Sequence, residues 1–187
     1  MNFLDTIIEK DKELFVYLNS LGSETWDGFW LFITNQFYWT PLFLLLFYLI
    51  FKAYGWKKSL LLLLVAALLV TFSDQLVNLI KHYFERLRPN NDPFINKHIR
   101  ILKTPHSFSF VSGHATTSFA VTTFMIATLK KHYKYIFLLL IWPMLFAYSR
   151  IYIGVHFPID IFIGMLLGIG VGFIFYKISI LFLRKIH

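Results

Sequence analysis

The stretch Pro158 to Leu183, PIDIFIGMLLGIGVGFIFYKISILFL, carries only two charged side chains, Asp160 and Lys177, over 26 residues. A helix needs about 20 mostly apolar residues to cross the hydrocarbon of a bilayer, so this run is long enough to span. Four more segments have the same character: Trp39 to Tyr54, Lys57 to Tyr83, Gly113 to Leu129 and Tyr133 to Tyr148. The first is short for a crossing and the second is generous. Composition agrees. The 187 residues are 57% hydrophobic and 20% aromatic, with a mean hydropathy of +0.62, whereas soluble domains are about 45–50% apolar even with glycine counted. The expected fold is all-α, a polytopic membrane helix bundle of five spanning helices forming one domain over residues 1–187, with the spanning core at 39–183.

Residues 1–36 read differently. Phe3 to Leu18 holds Asp5, Glu9, Lys10, Asp11, Lys12 and Glu13, too many charges for a crossing. Leu4, Ile7, Ile8, Leu14, Phe15 and Leu18 sit near helical spacing, which predicts an amphipathic helix lying in the membrane interface. Thr25 to Asn35 reads as a second interfacial helix; the alternative lets it cross and gives six spans. Met1 to Asn19 has no uninterrupted apolar core, so no cleavable signal peptide is expected.

The formal charge is +8, which in another chain would point to nucleic acid. Here the basic residues cluster between apolar segments, at Lys52/Lys57/Lys58, Lys130/Lys131/Lys134 and Arg184/Lys185. Such clusters mark the cytoplasmic ends of spans, so no nucleic-acid partner is expected. Residues 85–111 and 150–157 then fall on the extracytoplasmic side. With no cysteine in the chain, disulfides and thiolate metal sites are excluded. Oligomeric state is not legible.

Against this apolar background three polar clusters stand out. Asp74, Asn78 and Lys81 recur at i, i+4 and i+7, one helix face, and the same spacing continues to Glu85 and Arg88. Pro89 is expected to end that helix, so Lys81 and Arg88 are two cations on one face able to clamp an anion. Ser112-Gly113-His114 heads the next apolar run. A helix N-terminus with free N–H groups attracts phosphate, and Gly113 allows close approach. In SRIYIGVHFPID, Arg150 and His156 flank a turn at Gly154, Pro158 suits a first helical turn, and Asp160 lies four residues after His156, within reach of its imidazole. Each cluster also has an ordinary structural reading as a cap or a satisfied polar face. Topology sets all three at the same side of the membrane. Three cations, two imidazoles and a carboxylate suit phosphoryl transfer: the cations hold phosphate oxygens, one histidine attacks phosphorus and the other protonates the leaving oxygen.

The pattern Lys81-x6-Arg88-Pro89, Ser112-Gly113-His114, Ser149-Arg150-x5-His156-x3-Asp160 resembles the type-2 phosphatidic acid phosphatase superfamily, which includes membrane lipid phosphate phosphatases, glucose-6-phosphatase and the vanadium haloperoxidases. Its motifs cover Lys81 to Asp160. One position departs: Val111 stands where the family usually has proline. The resemblance implies that His156 is the nucleophile forming a phosphohistidine, that Asp160 orients it, and that His114 is the acid for the leaving group and then the base for water. It implies that Lys81, Arg88, Ser112, Gly113 and Arg150 hold the phosphoryl group, and that no metal or other cofactor is needed. Consistent with the last point, His82, His98, His106 and His132 show no ligand spacing.

The implied activity is hydrolysis of a lipid phosphate or pyrophosphate in a bacterial inner membrane, with the site facing outward. Phe94, Ile95, Ile99, Ile101 and Leu102 in the outer loop suit a lipid substrate. Undecaprenyl pyrophosphate leads narrowly over phosphatidylglycerol phosphate and lipid A phosphate. Two other readings stay open: a lipid phosphotransferase using the same site, and a non-enzymatic transporter or phospholipid-binding protein. A haloperoxidase ranks below both.

Overall fold

Asn2 opens the first helix by accepting the Asp5 N–H at 2.9 Å while Asp5 accepts the Asn2 N–H at 3.0 Å. This reciprocal box satisfies two donors a helix start leaves over. The structure, a computed structural model, describes residues 2–186; Met1 and His187, which the expected 1–187 domain includes, lie outside them. In chain order the helices are α1 (Phe3–Ser20), α2 (Glu24–Ile33), α3 (Thr40–Phe84), α4 (Gly113–Leu129), α5 (Ile141–Tyr152) and α6 (Pro158–Leu183). Short 3-10 turns cover Gln36–Trp39, Pro89–Asn91 and Ile136–Leu140. No strand occurs among the described residues.

α3 is two helical limbs, 40–54 and 56–84, joined at Gly55, whose φ of 70° lies where only glycine sits without strain. Helices α4 and α6 match the expected segments residue for residue. The fourth segment does not. It begins as a 3-10 turn and becomes α5 only at Ile141, because Pro143 has no N–H and fits best in a first turn, where donors are unpaired anyway. It then runs on to Tyr152. A second difference concerns Arg88. The helix carrying Lys81 stops at Phe84, five residues before Pro89. Glu85 turns left-handed (φ 47°) and returns its N–H to Lys81 O at 3.0 Å. Arg88 therefore approaches from a loop, not from the helix face that holds Lys81.

α4 and α6 run parallel and in step. Gly164, Gly168 and Gly172 form one stripe of α6 against α4. A Cβ at Gly164 would come within 2.9 Å of Ser112 O, and one at Gly168 or Gly172 would collide with Thr116 O or Ala120 O. Small residues four apart let helix backbones touch in a membrane. This contact sets both helix N-termini side by side. The core between α3, α4 and α5 is filled by Leu62, Leu69, Phe124 and Leu129, all fully buried.

Outside, the bundle is apolar: Leu44, Leu60, Leu64, Leu68, Leu166, Phe173, Ile174 and Leu181 are exposed. Two helical stretches, Gln36–Asn91 and Pro158–Leu183, are long and apolar enough to cross a membrane. An exterior of this kind belongs in lipid, and the chain is an integral membrane protein.

The two ends of the bundle differ. At one, Tyr54 Oη donates to Thr128 O at 2.8 Å and Tyr133 Oη to Leu49 O at 3.1 Å. These bonds gather the turns that carry Lys52, Lys57, Lys58, Lys130, Lys131 and Lys134. At the other end meet the loop 85–112, the C-terminus of α5, the N-termini of α4 and α6, and helices α1 and α2. α1 buries Asp11, Phe15 and Asn19 and exposes Leu4, Ile8 and Leu14. Asn19 Nδ2 donates to Arg100 O, Ile151 O and Tyr152 O at 3.0–3.1 Å, which fixes α1 to α5 and the long loop.

Candidate active site

Between α3, α4 and α5 lies a cavity of about 830 Å³. Its wall holds Lys81, Arg88, Gly113, His114, Arg150 and His156 together, six of the eight site residues expected from the sequence. Ser112 and Asp160 stand directly behind the wall, both fully buried. A second, apolar groove of about 660 Å³ between the first limb of α3 and the 136–142 segment contains none of them.

Lys81 and Arg88 are braced by backbone carbonyls, and Arg150 by a side-chain hydroxyl. Lys81 Nζ donates to Phe108 O at 2.9 Å. Arg88 donates through Nε to Ser107 O (2.6 Å), through Nη2 to Ser107 Oγ (2.9 Å) and through Nη1 to Val155 O (2.9 Å). Burial lowers the Arg88 guanidinium to about 10, so it stays charged at neutral pH. Arg150 rides the last turn of α5 and donates through Nη1 to Thr34 Oγ1 at 2.6 Å. Its Nε is buried with no hydrogen-bond partner among the described residues. A buried donor of this kind costs free energy unless an acceptor meets it.

The histidines are held in opposite ways. The His114 ring, on the first turn of α4, stacks on Phe146 with centroids 4.8 Å apart, and its nitrogens make no hydrogen bond among the described residues. His156 follows the turn at Gly154 (φ 81°), where a Cβ would press 3.2 Å from Ile101 Cα and closer still to Arg100 O. His156 is buried. Its Nδ1 faces Asp160 Oδ2 at 3.4 Å and its Nε2 faces Arg88 Nη1 at 3.3 Å. Burial, reinforced by the charges of Arg88, Arg150 and Lys81, holds the imidazole well below its ordinary pKa. The ring is thus neutral at pH 7, with Nδ1 turned to the carboxylate and Nε2 toward the cations.

Asp160 is the hub behind it. Its carboxylate accepts the Phe157 N–H at 2.9 Å at the start of α6, the Ser109 hydroxyl, and Arg86 Nη1 at 2.7 Å. Its carbonyl accepts the Ser112 N–H at 3.0 Å. Ser112 Oγ accepts from Ala115 N at 3.4 Å as the cap of α4, leaving its hydroxyl proton free to donate. Arg86 Nη2 reaches on to Asp11 Oδ2 at 2.6 Å, and Asp11 Oδ1 accepts the Ile159 N–H at 2.9 Å. Arg86, Asp11 and Ser109 were not among the site residues expected from the sequence, where Asp11 figured only as one of the charges of Phe3 to Leu18. Asp11 had one signal there, its four-residue spacing with Phe15 and Asn19.

Among the described residues no three histidine or carboxylate side chains are grouped to hold a metal ion. What the cavity presents is a set of fixed cations, a helix N-terminus and two imidazoles, which together match a tetrahedral anion. Residues 59–182, which include every one of these cavity groups, match the PAP2 superfamily. The chain belongs to that superfamily.

Several relatives span most of this PAP2 chain. A lipid A 4'-phosphatase of Bacteroides thetaiotaomicron is 31% identical over 180 residues, covering 94% of this chain and 80% of its own. An undecaprenyl-diphosphatase of Sulfolobus acidocaldarius is 31% identical over 171 residues, covering 89% and 77%. The crystal structure of Aquifex aeolicus LpxE superposes with a TM-score of 0.67 at 29% identity, over 88% of this chain and 93% of that one. The PAP2 protein described here is thus a phosphatase, a hydrolase of phosphoric esters or diphosphates.

Proposed function

We propose that the chain is one membrane-embedded domain of five crossings that removes phosphate from a lipid phosphate or pyrophosphate at the extracytoplasmic face of the inner membrane, through a phosphohistidine on His156. The observation that carries this reading is the His156 imidazole held neutral between Asp160 and Arg88, with Nε2 turned toward the cations. Lys81, Arg88 and Arg150, with the Ser112 hydroxyl and the Gly113 amide, hold the phosphoryl oxygens. The Nε2 lone pair of His156 attacks phosphorus as the phosphorus–oxygen bond to the lipid breaks. The leaving oxygen takes a proton from His114. Asp160 stabilises the positive charge that develops on His156 by accepting from Nδ1–H. His114 then takes a proton from water, whose oxygen attacks phosphorus, and the nitrogen–phosphorus bond breaks to release phosphate and free His156.

The electrostatic part needs no metal in this scheme, because three guanidinium or ammonium groups already face the charge that builds up. The lipid character of the substrate follows from the apolar exterior and from the continuation of the cavity along Phe43, Leu46, Phe47, Leu63, Ala66 and Val70. Lipid A phosphate, undecaprenyl pyrophosphate and phosphatidylglycerol phosphate all carry a terminal phosphate on an apolar anchor.

Phosphate release by the purified protein in detergent, across those three lipids and with excess chelator, tests the reading. Release from at least one lipid that survives chelator is expected. No release from any, or release that chelator abolishes and magnesium restores, would overturn it.

A further inference from the structure

The second limb of α3 turns Asp74, Asn78 and Lys81 onto the same cavity wall. The scheme above uses Lys81 alone. Asp74 lies seven residues before it, about 10 Å deeper along the helix axis at 1.5 Å per residue. Its side-chain bond among the described residues is to Asn78, whose Nδ2 donates to Asp74 Oδ2 at 3.2 Å, and it forms none of the ion pairs found among them. Deeper again on the same limb the wall becomes Val70, Ala66 and Leu63. From the membrane end upward the cavity is therefore apolar, then hydrogen-bond accepting, then cationic.

A carboxylate within a spanning helix is costly against hydrocarbon and marks a place where something polar is met. We propose that Asp74 and Asn78 form a head-group subsite that accepts hydrogen bonds from hydroxyl or amide N–H groups of a phosphorylated, acylated amino sugar. The phosphate sits at Lys81, Arg88 and Arg150; the sugar ring and its acyl linkages sit at Asn78 and Asp74; the acyl chains run along the apolar part. This rests on the phosphatase reading and narrows its substrate.

The alternatives fit that order poorly. A polyprenyl diphosphate has only hydrocarbon beneath its phosphates, so Asp74 would face it without a donor. Phosphatidylglycerol phosphate carries a second phosphate beneath the first, which would bring like charge to the carboxylate. A sugar bearing free hydroxyl and amide groups supplies donors at that depth and no second charge there.

The test is the ratio of kcat/KM for two lipids measured on the same preparation: a phosphorylated, acylated glucosamine disaccharide and undecaprenyl diphosphate, both in mixed micelles. Wild type should favour the sugar lipid, and Asp74→Ala should shift the ratio toward the polyprenyl lipid by about tenfold or more, the loss expected when a donor is left without its charged acceptor. Asn78→Ala should shift it the same way by less. An unchanged ratio in both variants, even with a general fall in activity, overturns the subsite and leaves the phosphatase reading standing. No release from either lipid by wild type removes both. Should Asp74→Ala fail to fold, Asp74→Asn reads the same ratio with side-chain volume kept.

Discussion

Arg86 Nη1 lies 2.7 Å from Asp160 Oδ1, and the Arg86 guanidinium is stacked over the Phe157 ring at 4.1 Å. The same guanidinium holds Asp11 at 2.6 Å, so one cation in the loop after α3 joins the surface helix α1 to the start of α6. Both carboxylates are fully buried on their side chains. Burial pushes the Asp11 carboxyl up, and Arg86 opposes that. The orientation of Asp160, and through it of His156, thus depends on a residue and a helix outside the three motifs.

Arg86→Met should leave two buried carboxylates without their cation. Breaking a buried pair by removing one partner costs about 3–5 kcal/mol, which should appear as a lowered melting temperature in detergent. kcat should fall while KM changes little, because Arg86 touches Asp160 and not the cavity. Arg86→Lys should recover part of both. A variant with wild-type melting and wild-type kcat would show that the contact orients nothing.

The pH dependence has a definite sign. Burial first, and then Arg88, Arg150 and Lys81, depress the His156 pKa below its ordinary value of about 6.5. The unfolded chain therefore binds a proton that the folded chain does not between that depressed value and about 6.5. This contribution to stability is present above the window and is lost as pH falls through it. The nucleophile itself stays neutral across the window, so the acid limb of kcat/KM against pH should lie well below 6.5. Arg88→Met removes the nearest positive charge and should move that limb upward as well as weakening phosphate binding. An acid limb that stays in place in Arg88→Met would contradict the assignment.

Sidedness rests on the basic clusters gathered at the end of the bundle away from the cavity. Lysine and arginine at span ends hold those ends in the cytoplasm. Single cysteines are readily introduced into a chain that has none, at the exposed positions Asn91 and Lys131. An impermeant thiol reagent applied to intact cells should label Asn91→Cys and not Lys131→Cys. Label at 131 alone would reverse the orientation. Label at Asn2→Cys is expected for five crossings, and its absence would point to a sixth at Thr25 to Asn35.

Much of this arrangement was legible in the sequence, for local reasons. α4 and α6 begin where Ser112-Gly113 and Pro158 supply a cap and a first-turn proline, and their apolar runs end at charges. The six cavity groups were legible because each sits in a short motif. What escaped is non-local. Arg86 meets Asp160 across 74 positions and Asp11 across 75, and Ser109 meets Asp160 across 51; no spacing rule reaches so far. The apolar stripe of α1 divides, with Leu4, Ile8 and Leu14 pointing outward while Phe15 packs inward beside Asp11 and Asn19, two polar residues that the stripe did not include. The apolar segment was bounded at Tyr83, one residue before the observed end of α3 at Phe84, but Pro89 was a more conspicuous stop than Glu85, so the helix face was carried too far, to Arg88. The stripe Gly164, Gly168, Gly172 was readable, and its packing against α4 needed the partner helix to be known.

The central claim is that phosphate passes through His156 Nε2. The direct measurement is rapid quench of the purified protein with labelled lipid phosphate under alkaline conditions, followed by peptide mapping. Label is expected on the peptide containing His156, stable in base and lost in acid. Given a labelled aryl phosphate, whose leaving group needs no proton from His114, His114→Ala should accumulate this label because it lacks the base that activates water, and His156→Ala should show neither label nor turnover. Undiminished turnover in a folded His156→Ala variant, or label on any other residue, would contradict the account.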